Sequence, residues 1–350
     1  MLLLTFKVKH GRDLSQELGK ARQVAEFAVK THSCSSRDVK HIGLKSAIAN
    51  QILRKYSHND KARKVSRVVL TVPGQSIKTN KKQKTVRVPC LGLELPYWFR
   101  NDFTKINQIE LDSQYAYVTA TVPEPKPVKT ERFIGVDLNT TGHCAVAANP
   151  QTGKVWKLGK SAEHVHKKYR EIRRTLQRKG KFRKLKTVRK REKRKVRDLN
   201  HRVSKRLVQI AAANRCGIKM EGLKGIRSSR KHARAFQYSL NSWSFYQLQR
   251  MIEYKARLHG VPVAYVDPAN TSKTCSRCGQ LGSRNSKEFK CPGCGHVDHA
   301  DANASFNIGT ALAVRVAGRL RADSDACKGS IDTPRWATPV NGGDPRTPRL

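Results

Sequence analysis

The chain has 350 residues, which is long enough for two or three domains and at least one substantial core. Its 71 Lys and Arg residues outnumber its 26 Asp and Glu residues, and the net charge of +45 indicates a polyanionic partner such as nucleic acid. No stretch approaches the roughly 20 apolar residues of a membrane span, and the apolar run at residues 1–6 is too short for a signal peptide. We therefore expect an intracellular protein that does not use a membrane.

Residues 1–130 predict a β-rich module with a small helical part. A helix is expected over residues 15–32, where apolar side chains recur at helical spacing. The polar residues 75–83 predict a loop, and the proline-rich stretch 123–127 predicts a linker at a domain boundary. Strands are expected at residues 2–9, 65–72, 84–88 and 108–122, the last with a turn at 112–114.

From residue 131 the pattern changes to alternating strands and helices, which is typical of an α/β domain. Two basic helices are expected within residues 163–214, with a break at Gly180. Residues 166–206 contain 21 Lys or Arg and 3 acids, and the apolar stripes that persist there favour a phosphate-binding surface over a solvated charge run. The other expected elements are strands at 132–138, 144–148, 155–158, 218–223 and 261–266, helices at 242–259 and 302–316, and a disordered tail from 321.

Four of the nine cysteines form two Cys-x2-Cys pairs separated by twelve residues: Cys275, Cys278, Cys291 and Cys294. Four thiolates at this spacing match the tetrahedral preference of Zn2+ and leave no open coordination position. A glycine after each pair, Gly279 or Gly295, permits the tight turn that brings backbone amides close to the sulfur atoms. The pattern predicts a structural zinc ribbon, and a redox pair and an iron–sulfur cluster are the alternatives.

Three acids lie at the ends of predicted elements and far apart in the sequence. Asp137 ends the strand FIGVDL, Glu221 ends the strand IKME, and Asp301 lies near the start of the last helix. Carboxylates gathered at one end of a sheet can hold two Mg2+ or Mn2+ ions that promote hydrolysis of a phosphodiester. The alternatives are a cap or turn role for each acid, specifically an N-cap for Asp301, and a contribution from Asp267 or Asp298 instead.

Together, the runs GVDLN, IKMEGL and TSKTCSRCG…FKCPGCG…DHADANASFNIG resemble the TnpB family of transposon-encoded RNA-guided nucleases, which are related to the compact type V CRISPR effectors. The resemblance covers about residues 131–318 and includes the order of two acids, four cysteines and a third acid. Asn139 and Ala300 depart from the residues that are usual in the family, whereas all three acids are present.

The resemblance implies an α/β RNase H-like (RuvC) nuclease domain with an inserted four-cysteine zinc ribbon. A β-rich, wedge-like domain with a small helical insert would precede it. The expected domains, in chain order, are a wedge and recognition module at 1–130, the first part of the nuclease domain at 131–269, the ribbon at 270–298, the last part of the nuclease domain at 299–320, and a disordered tail at 321–350.

The activity implied by the resemblance is that of a transposon-associated, RNA-guided DNA endonuclease with a single RuvC-like site, in the prokaryotic cytosol or nucleoid. Asp137, Glu221 and Asp301 would be catalytic and bind Mg2+ or Mn2+, expected as two ions, and the four cysteines would bind structural Zn2+. The expected partners are a guide RNA, double-stranded target DNA and its displaced single strand, bound by a monomer or by a dimer on RNA. A compact type V CRISPR effector and a guided DNA-binding protein without cleavage are the alternatives.

Overall fold

The computed structural model describes residues 2–58, 64–99, 101–139, 142–222 and 245–316. These residues fall into two compact units, one within residues 1–123 and one within residues 124–319. No helix within these described ranges combines the length and the apolar character that crossing a bilayer requires. The predicted tail 321–350 and the first three residues of the predicted helix 242–259 lie outside the described residues.

The first unit contains two antiparallel sheets and two helices. One sheet has the strand order β1-β7-β6-β2 and the other has the order β3-β4-β5. The Asp112 carboxylate accepts hydrogen bonds from the amides of Gln114 and Tyr115, which explains the predicted turn between β6 and β7. The elements are β1 (Leu2–Lys9), α1 (Ser15–Thr31), α2 (Ser46–Ser57), β2 (Leu70–Pro73), β3 (Lys78–Asn80), β4 (Thr85–Val88), β5 (Leu93–Pro96), β6 (Lys105–Leu111) and β7 (Tyr115–Val122).

This unit differs from the sequence prediction in four places. The strand expected over 65–72 is wrong for its first five residues, since β2 begins at Leu70. The loop expected over 75–83 contains β3, whose three side chains are all exposed and therefore show no apolar alternation. Neither β5 nor α2 is among the predicted elements, although α2 buries one apolar face that includes Ile48 and Ile52.

The second unit is built on a six-stranded sheet with the order β10-β9-β8-β11-β12-β16. Strand β11 is parallel to both β8 and β12, and the other pairings of this sheet are antiparallel. The elements are β8 (Phe133–Leu138), β9 (Ala145–Ala148), β10 (Val155–Leu158), α3 (Ser161–Arg178), α4 (Phe182–Ala213), β11 (Gly217–Glu221), α5 (Phe245–Leu258), β12 (Val263–Val266), β13 (Ser283–Asn285), β14 (Glu288–Lys290), β15 (Val297–His299), α6 (Ala300–Thr310) and β16 (Arg315–Val316).

The two basic helices are confirmed; α4 buries one apolar stripe, whereas the apolar stripe of α3 is only half-buried and Ala162 is its one buried residue. Gly180 has a φ of +60°, a left-handed conformation that suits glycine and separates α3 from α4. Leu207 and Val208 of α4 join Ile218 of β11 and Leu248 of α5 in one apolar core. Most Lys and Arg side chains of α3 and α4 therefore remain on the outer surface.

The last predicted helix is shorter than expected. It begins at Ala300 and ends at Thr310 instead of extending to Val316. The chain then turns to the open edge of β12, where the amide of Val314 donates to the carbonyl of Tyr265 and β16 pairs with the strand. Backbone groups at a sheet edge need hydrogen-bond partners, and β16 supplies them to β12. The residues after Thr310 therefore extend the sheet and do not continue the helix.

Candidate active site

Two of the three predicted acids lie at the same end of neighbouring parallel strands. The register pairs Val136 of β8 with Met220 of β11, so that Asp137 and Glu221 are the next residues along the two strands. Asp137 is only 8% exposed. The parallel pairing thus brings together two carboxylates that are separated by more than eighty residues of sequence.

The third acid reaches this end of the sheet because α6 packs directly on β8. Gly135 allows the close approach: a Cβ atom there would lie 2.0 Å from the carbonyl oxygen of Ser305 and 2.2 Å from the amide nitrogen of Gly309. The Ser305 hydroxyl also donates to the carbonyl of Val146 in β9 at 2.9 Å. As a result Asp301, in the first turn of α6, is 1% exposed beside the other two acids.

The negative charges of Glu221 and Asp301 both act on Asp137. Burial raises the pKa of Asp137 to about 7, and the negative charges of Glu221 and Asp301 add to this effect. Burial also raises the pKa of Glu221. A cation bound beside Asp137 and Glu221 would favour their charged forms, because it offsets the burial and the repulsion that raise their pKa values.

Polar neighbours hold two of these carboxylates in place. The amide group of Asn139 donates to Asp137 Oδ2 at 2.9 Å, which opposes the rise in the pKa of Asp137. The Thr271 hydroxyl donates to Glu221 Oε1 and opposes the rise in its pKa. The contact of Thr271 with Glu221 was not predicted from the sequence. The contact of Asn139 with Asp137 had one signal in the sequence, namely that the two residues are two positions apart.

Two cations from the hairpin β13–β14 contact Asp301. Arg284 Nη2 lies 2.9 Å from Oδ1, and Lys287 Nζ lies 2.6 Å from Oδ2. Arg284 also lowers the pKa of both Asp137 and Glu221, so its charge acts on all three acids. The sequence offers only a weak signal for these contacts, namely basic residues in a twelve-residue segment between two cysteine pairs.

The four predicted cysteines form one cluster. Their sulfur atoms all lie within 4.8 Å of one another, with 3.7 Å between Cys275 and Cys294 and 3.4 Å between Cys278 and Cys291. Thiolates about 2.3 Å from a tetrahedral metal would be separated by about 3.8 Å, so a small inward or outward shift accommodates the ion. A backbone hydrogen bond from Cys294 lowers the pKa of Cys291, and the hydrogen bond that Cys278 and Cys291 share lowers it further and raises the pKa of Cys278. A bound metal would require both as thiolates.

Side-chain amides of α6 connect this cluster to the acids. Asn303 accepts from the amide of Ser276 at 2.8 Å and donates to the carbonyl of Thr274 at 2.7 Å. Asn307 donates to the carbonyls of Thr271 and Thr274. The helix that carries Asp301 therefore also holds the first cysteine knuckle, so the segment ADANASFN serves both clusters.

The alternatives for the acids have different outcomes. Asp301 is not an N-cap, because the helix begins at Ala300 and His299 is the capping residue. Asp267 is exposed, and its carboxylate accepts from the amide of Ala269 as in a turn. Asp298 lies on β15 and accepts from the amide of His299. Neither Asp267 nor Asp298 contributes to the shift in the pKa of Asp137.

Residues 245–308 match the model of the family described as Cas12f1-like, TNB domain. A TnpB-like protein of Methanocaldococcus jannaschii is 40% identical over 160 residues, which are 44% of this chain and 57% of that protein. The endodeoxyribonuclease Cas12f1 of Sulfoacidibacillus thermotolerans, a CRISPR-associated protein, is 41% identical over 113 residues, 31% of this chain and 25% of that protein.

A solved structure of a Cas12f1–sgRNA–target DNA complex aligns with 89% of this chain and 99% of its own, with 19% identity and a TM-score of 0.44. The matched segments span 57% and 25% of the two sequence relatives' own lengths. The family model nevertheless covers the cysteine pairs and the helix that carries Asp301. In sequence, the matched segments of this chain are similar to a TnpB-like protein and to CRISPR-associated Cas12f1 endodeoxyribonucleases.

Proposed function

We propose that this chain is an RNA-guided DNA endonuclease that hydrolyses phosphodiesters at one site formed by Asp137, Glu221 and Asp301. The observation that carries the proposal is the convergence of these three acids, of which Asp137 and Asp301 are buried and Glu221 is half-buried, with the pKa of Asp137 raised to about 7 by burial and by its two neighbours. The relatives named above include a CRISPR-associated endodeoxyribonuclease. In this proposal the protein is associated with a transposon, as the resemblance to the TnpB family implies.

The acids fit hard divalent cations, because they offer carboxylate oxygens in a buried cluster whose negative charges repel one another. Mg2+ or Mn2+, when bound, would polarise the phosphate and lower the pKa of an attacking water. Asp137 must lose its proton to become a ligand, so cation affinity should rise with pH through about 7. Asn139 and Thr271 orient two of the carboxylates for this role.

The strand order supports an RNase H-like assignment for the second unit. In that fold a three-stranded antiparallel meander is followed by parallel strands on the other side of its first strand. The order β10-β9-β8-β11-β12 has this arrangement, and the cysteine cluster is inserted between β12 and α6. We propose that the cluster binds structural Zn2+, and that the first unit is the wedge-like domain.

The basic surface of α3 and α4 supports nucleic acids as partners. Helix α4 carries 13 Lys or Arg and 2 acids in its 32 residues, and side chains of this kind contact phosphates irrespective of base sequence. We propose that the chain binds a guide RNA and double-stranded target DNA. Base pairing with the guide would then supply the sequence specificity.

One observation favours a second candidate, a guided DNA-binding protein that does not cleave. The Asp301 carboxylate is already neutralised by Arg284 and Lys287, and a permanent pairing would reduce its value as a metal ligand. A compact type V CRISPR effector would use the same chemistry as the transposon-associated nuclease. The genomic neighbourhood, a transposon end or a repeat array, distinguishes those two.

The test begins with purification of the full chain without nuclease treatment and sequencing of the RNA that accompanies it. That complex is then incubated with matching and non-matching duplex DNA, with and without Mg2+. The variant Asp137→Ala should abolish cleavage, and Asp267→Ala, which changes an exposed acid outside the cluster, should retain it. Defined RNA with target binding but no Mg2+-dependent product would favour the guided binder. Absence of a discrete RNA at moderate salt would refute both candidates.

A further inference from the structure

The indole of Trp98 is the most prominent exposed aromatic group of the first unit. It is 83% exposed and follows β5, whose inward residues alternate with outward ones up to the buried Tyr97. Burial of so large an apolar side chain is ordinarily favourable, which makes its exposure informative about binding. Trp98 does not belong to the buried core of the described residues.

The backbone on both sides of Trp98 is anchored. The ring of Tyr97 stacks on Phe99 at 4.5 Å, and Phe99 stacks on Phe6 at 3.9 Å. Phe103 meets both Tyr97 and Phe99 edge-on, at 5.5 and 5.7 Å. These four rings pack the residues immediately before and after Trp98 against one another, while the indole itself remains exposed.

The β3–β4 hairpin beside Trp98 is positively charged, whereas burial and Asp102, four residues after Trp98, raise the pKa of Tyr97. Lys84 Nζ lies 6.0 Å from the centre of the Trp98 ring, and the carbonyl of Lys84 accepts from the amide of Tyr97 at 2.9 Å. No acid occurs between residues 74 and 93, and Glu94 lies opposite Arg87 in the sheet. The basic residues of this hairpin are Lys78, Lys81, Lys82, Lys84 and Arg87.

From this combination we infer that Trp98 is a stacking platform for an unpaired base of a single-stranded RNA, with the lysines of the β3–β4 hairpin contacting the flanking phosphates. An aromatic face beside positive charges matches a nucleobase joined to phosphates. Bases inside a DNA duplex are stacked on one another and cannot reach an indole on a protein surface, whereas RNA loops and ends expose theirs. The choice of RNA over single-stranded DNA rests on the proposed function.

The test is a binding titration of the full chain, freed of bound nucleic acid at high salt, with a twelve-nucleotide oligouridylate. The same oligomer with abasic sugars is the comparison. Trp98→Ala should weaken binding of the base-containing RNA by about 5- to 100-fold and leave binding of the abasic RNA unchanged. Trp98→Phe, which keeps an aromatic face, should restore most of the affinity.

Lys82→Gln provides the matched control, because it removes one positive charge from the same hairpin and no stacking surface. It should weaken binding of both oligomers to the same degree and reduce the salt dependence of binding. Equal weakening of both oligomers by Trp98→Ala, or no weakening, would overturn the inference. The same titration is repeated with oligodeoxyuridylate and with anionic phospholipid vesicles. If Trp98→Ala weakens binding of the deoxyribose oligomer more than that of the RNA, the platform would be for single-stranded DNA. If it weakens only the binding of vesicles, the indole would contact a membrane surface.

The titration also separates this inference from the proposed catalytic function. Asp137→Ala lies in the other unit and should bind the oligouridylate as the unmodified chain does. A protein that stacks the base but never cleaves DNA would retain the inference and lose the nuclease proposal. If Trp98→Ala cleaves DNA normally and binds RNA as tightly as the unmodified chain, the nuclease proposal stands and the stacking inference fails.

Discussion

The cysteine cluster and the carboxylate cluster adjoin the same helix, yet they are assembled in opposite ways. The four cysteines lie within twenty residues, in two knuckles whose glycines, Gly279 and Gly295, have φ values of +76° and +67°. The acids lie 164 residues apart from first to last and meet only because β8, β11 and α6 pack together. A metal site can therefore be a property of a short segment or of a whole fold.

The clusters also differ in whether nearby positive charges balance them before a metal binds. Thiols can remain neutral until a metal arrives, so the cysteine cluster needs no counter-charge beforehand. Buried carboxylates are costly without one. The ribbon supplies that charge through Arg284 and Lys287, which makes the carboxylate cluster dependent on the cysteine cluster.

The largest expected effect follows from removing one thiolate. Cys291→Ser should abolish zinc binding and unfold the ribbon, because metal binding supplies about 10–16 kcal/mol of folding free energy in small zinc domains. Metal analysis should find no zinc in the variant. Hydrogen exchange should accelerate over residues 275–299 and also in the first turn of α6, because Asn303 loses its partners at Thr274 and Ser276.

Cys34→Ser is the matched control, since Cys34 is exposed and lies in the first unit. It should keep the zinc content and the exchange pattern of the unmodified chain. Rapid exchange confined to the ribbon, with α6 unaffected in Cys291→Ser, would show that the two clusters are independent of each other.

The same contrast explains how much of the molecule could be predicted. Cysteine spacing predicted the cysteine cluster. Apolar periodicity predicted α1, α3, α4 and five of the six strands of the β10-β9-β8-β11-β12-β16 sheet, whereas β16 lies where a helix was predicted. The role of Gly135 could not be read from its neighbours, because the atoms that exclude a side chain belong to Ser305 and Gly309. The pairing of Asp301 with Lys287 likewise depends on a hairpin register that no local pattern encodes. The grouping of the acids was predicted through family resemblance, and spacing alone left Asp267 and Asp298 open.

Gly135→Ala tests whether the acids meet because α6 packs directly on β8. Its Cβ would overlap backbone atoms of α6, which cannot move aside as a flexible side chain can, so we expect a loss of at least about 3 kcal/mol in the free energy of unfolding. Denaturant titration measures it. The control, Gly19→Ala in α1, has nothing within 4 Å of its Cβ and should stabilise the chain by about 1 kcal/mol. A neutral Gly135→Ala would mean that α6 does not rest on β8 as described.

With zinc bound and no divalent cation at the acids, the stability of the chain should depend on pH through Asp137. Its folded pKa of about 7 lies above its ordinary value of 3.8, so the folded chain holds more protons between these values and stability falls as pH rises through this window. Asp137→Asn removes the repulsion and should stabilise the chain at pH 8 by about 1 to 3 kcal/mol, with little effect near pH 4. Denaturation in buffers passed over a chelating resin, which spares bound zinc, measures the difference. A pH profile unchanged by the substitution would contradict the electrostatic coupling of the acids.

The smallest expected effect concerns Lys287, whose ammonium group lies 2.6 Å from Asp301 Oδ2 and would compete with a divalent cation for that oxygen. Lys287→Gln should increase Mn2+ affinity by about two- to fivefold, the size expected for one partly exposed ion pair. Isothermal titration with Mn2+ measures this without any nucleic acid. Lys290→Gln is the control, because Lys290 lies in the same hairpin but pairs at 3.2 Å with the exposed Glu288. Weaker Mn2+ binding in Lys287→Gln would show that the lysine holds Asp301 in place for the cation, so that the ribbon would organise the carboxylate cluster instead of opposing its metal.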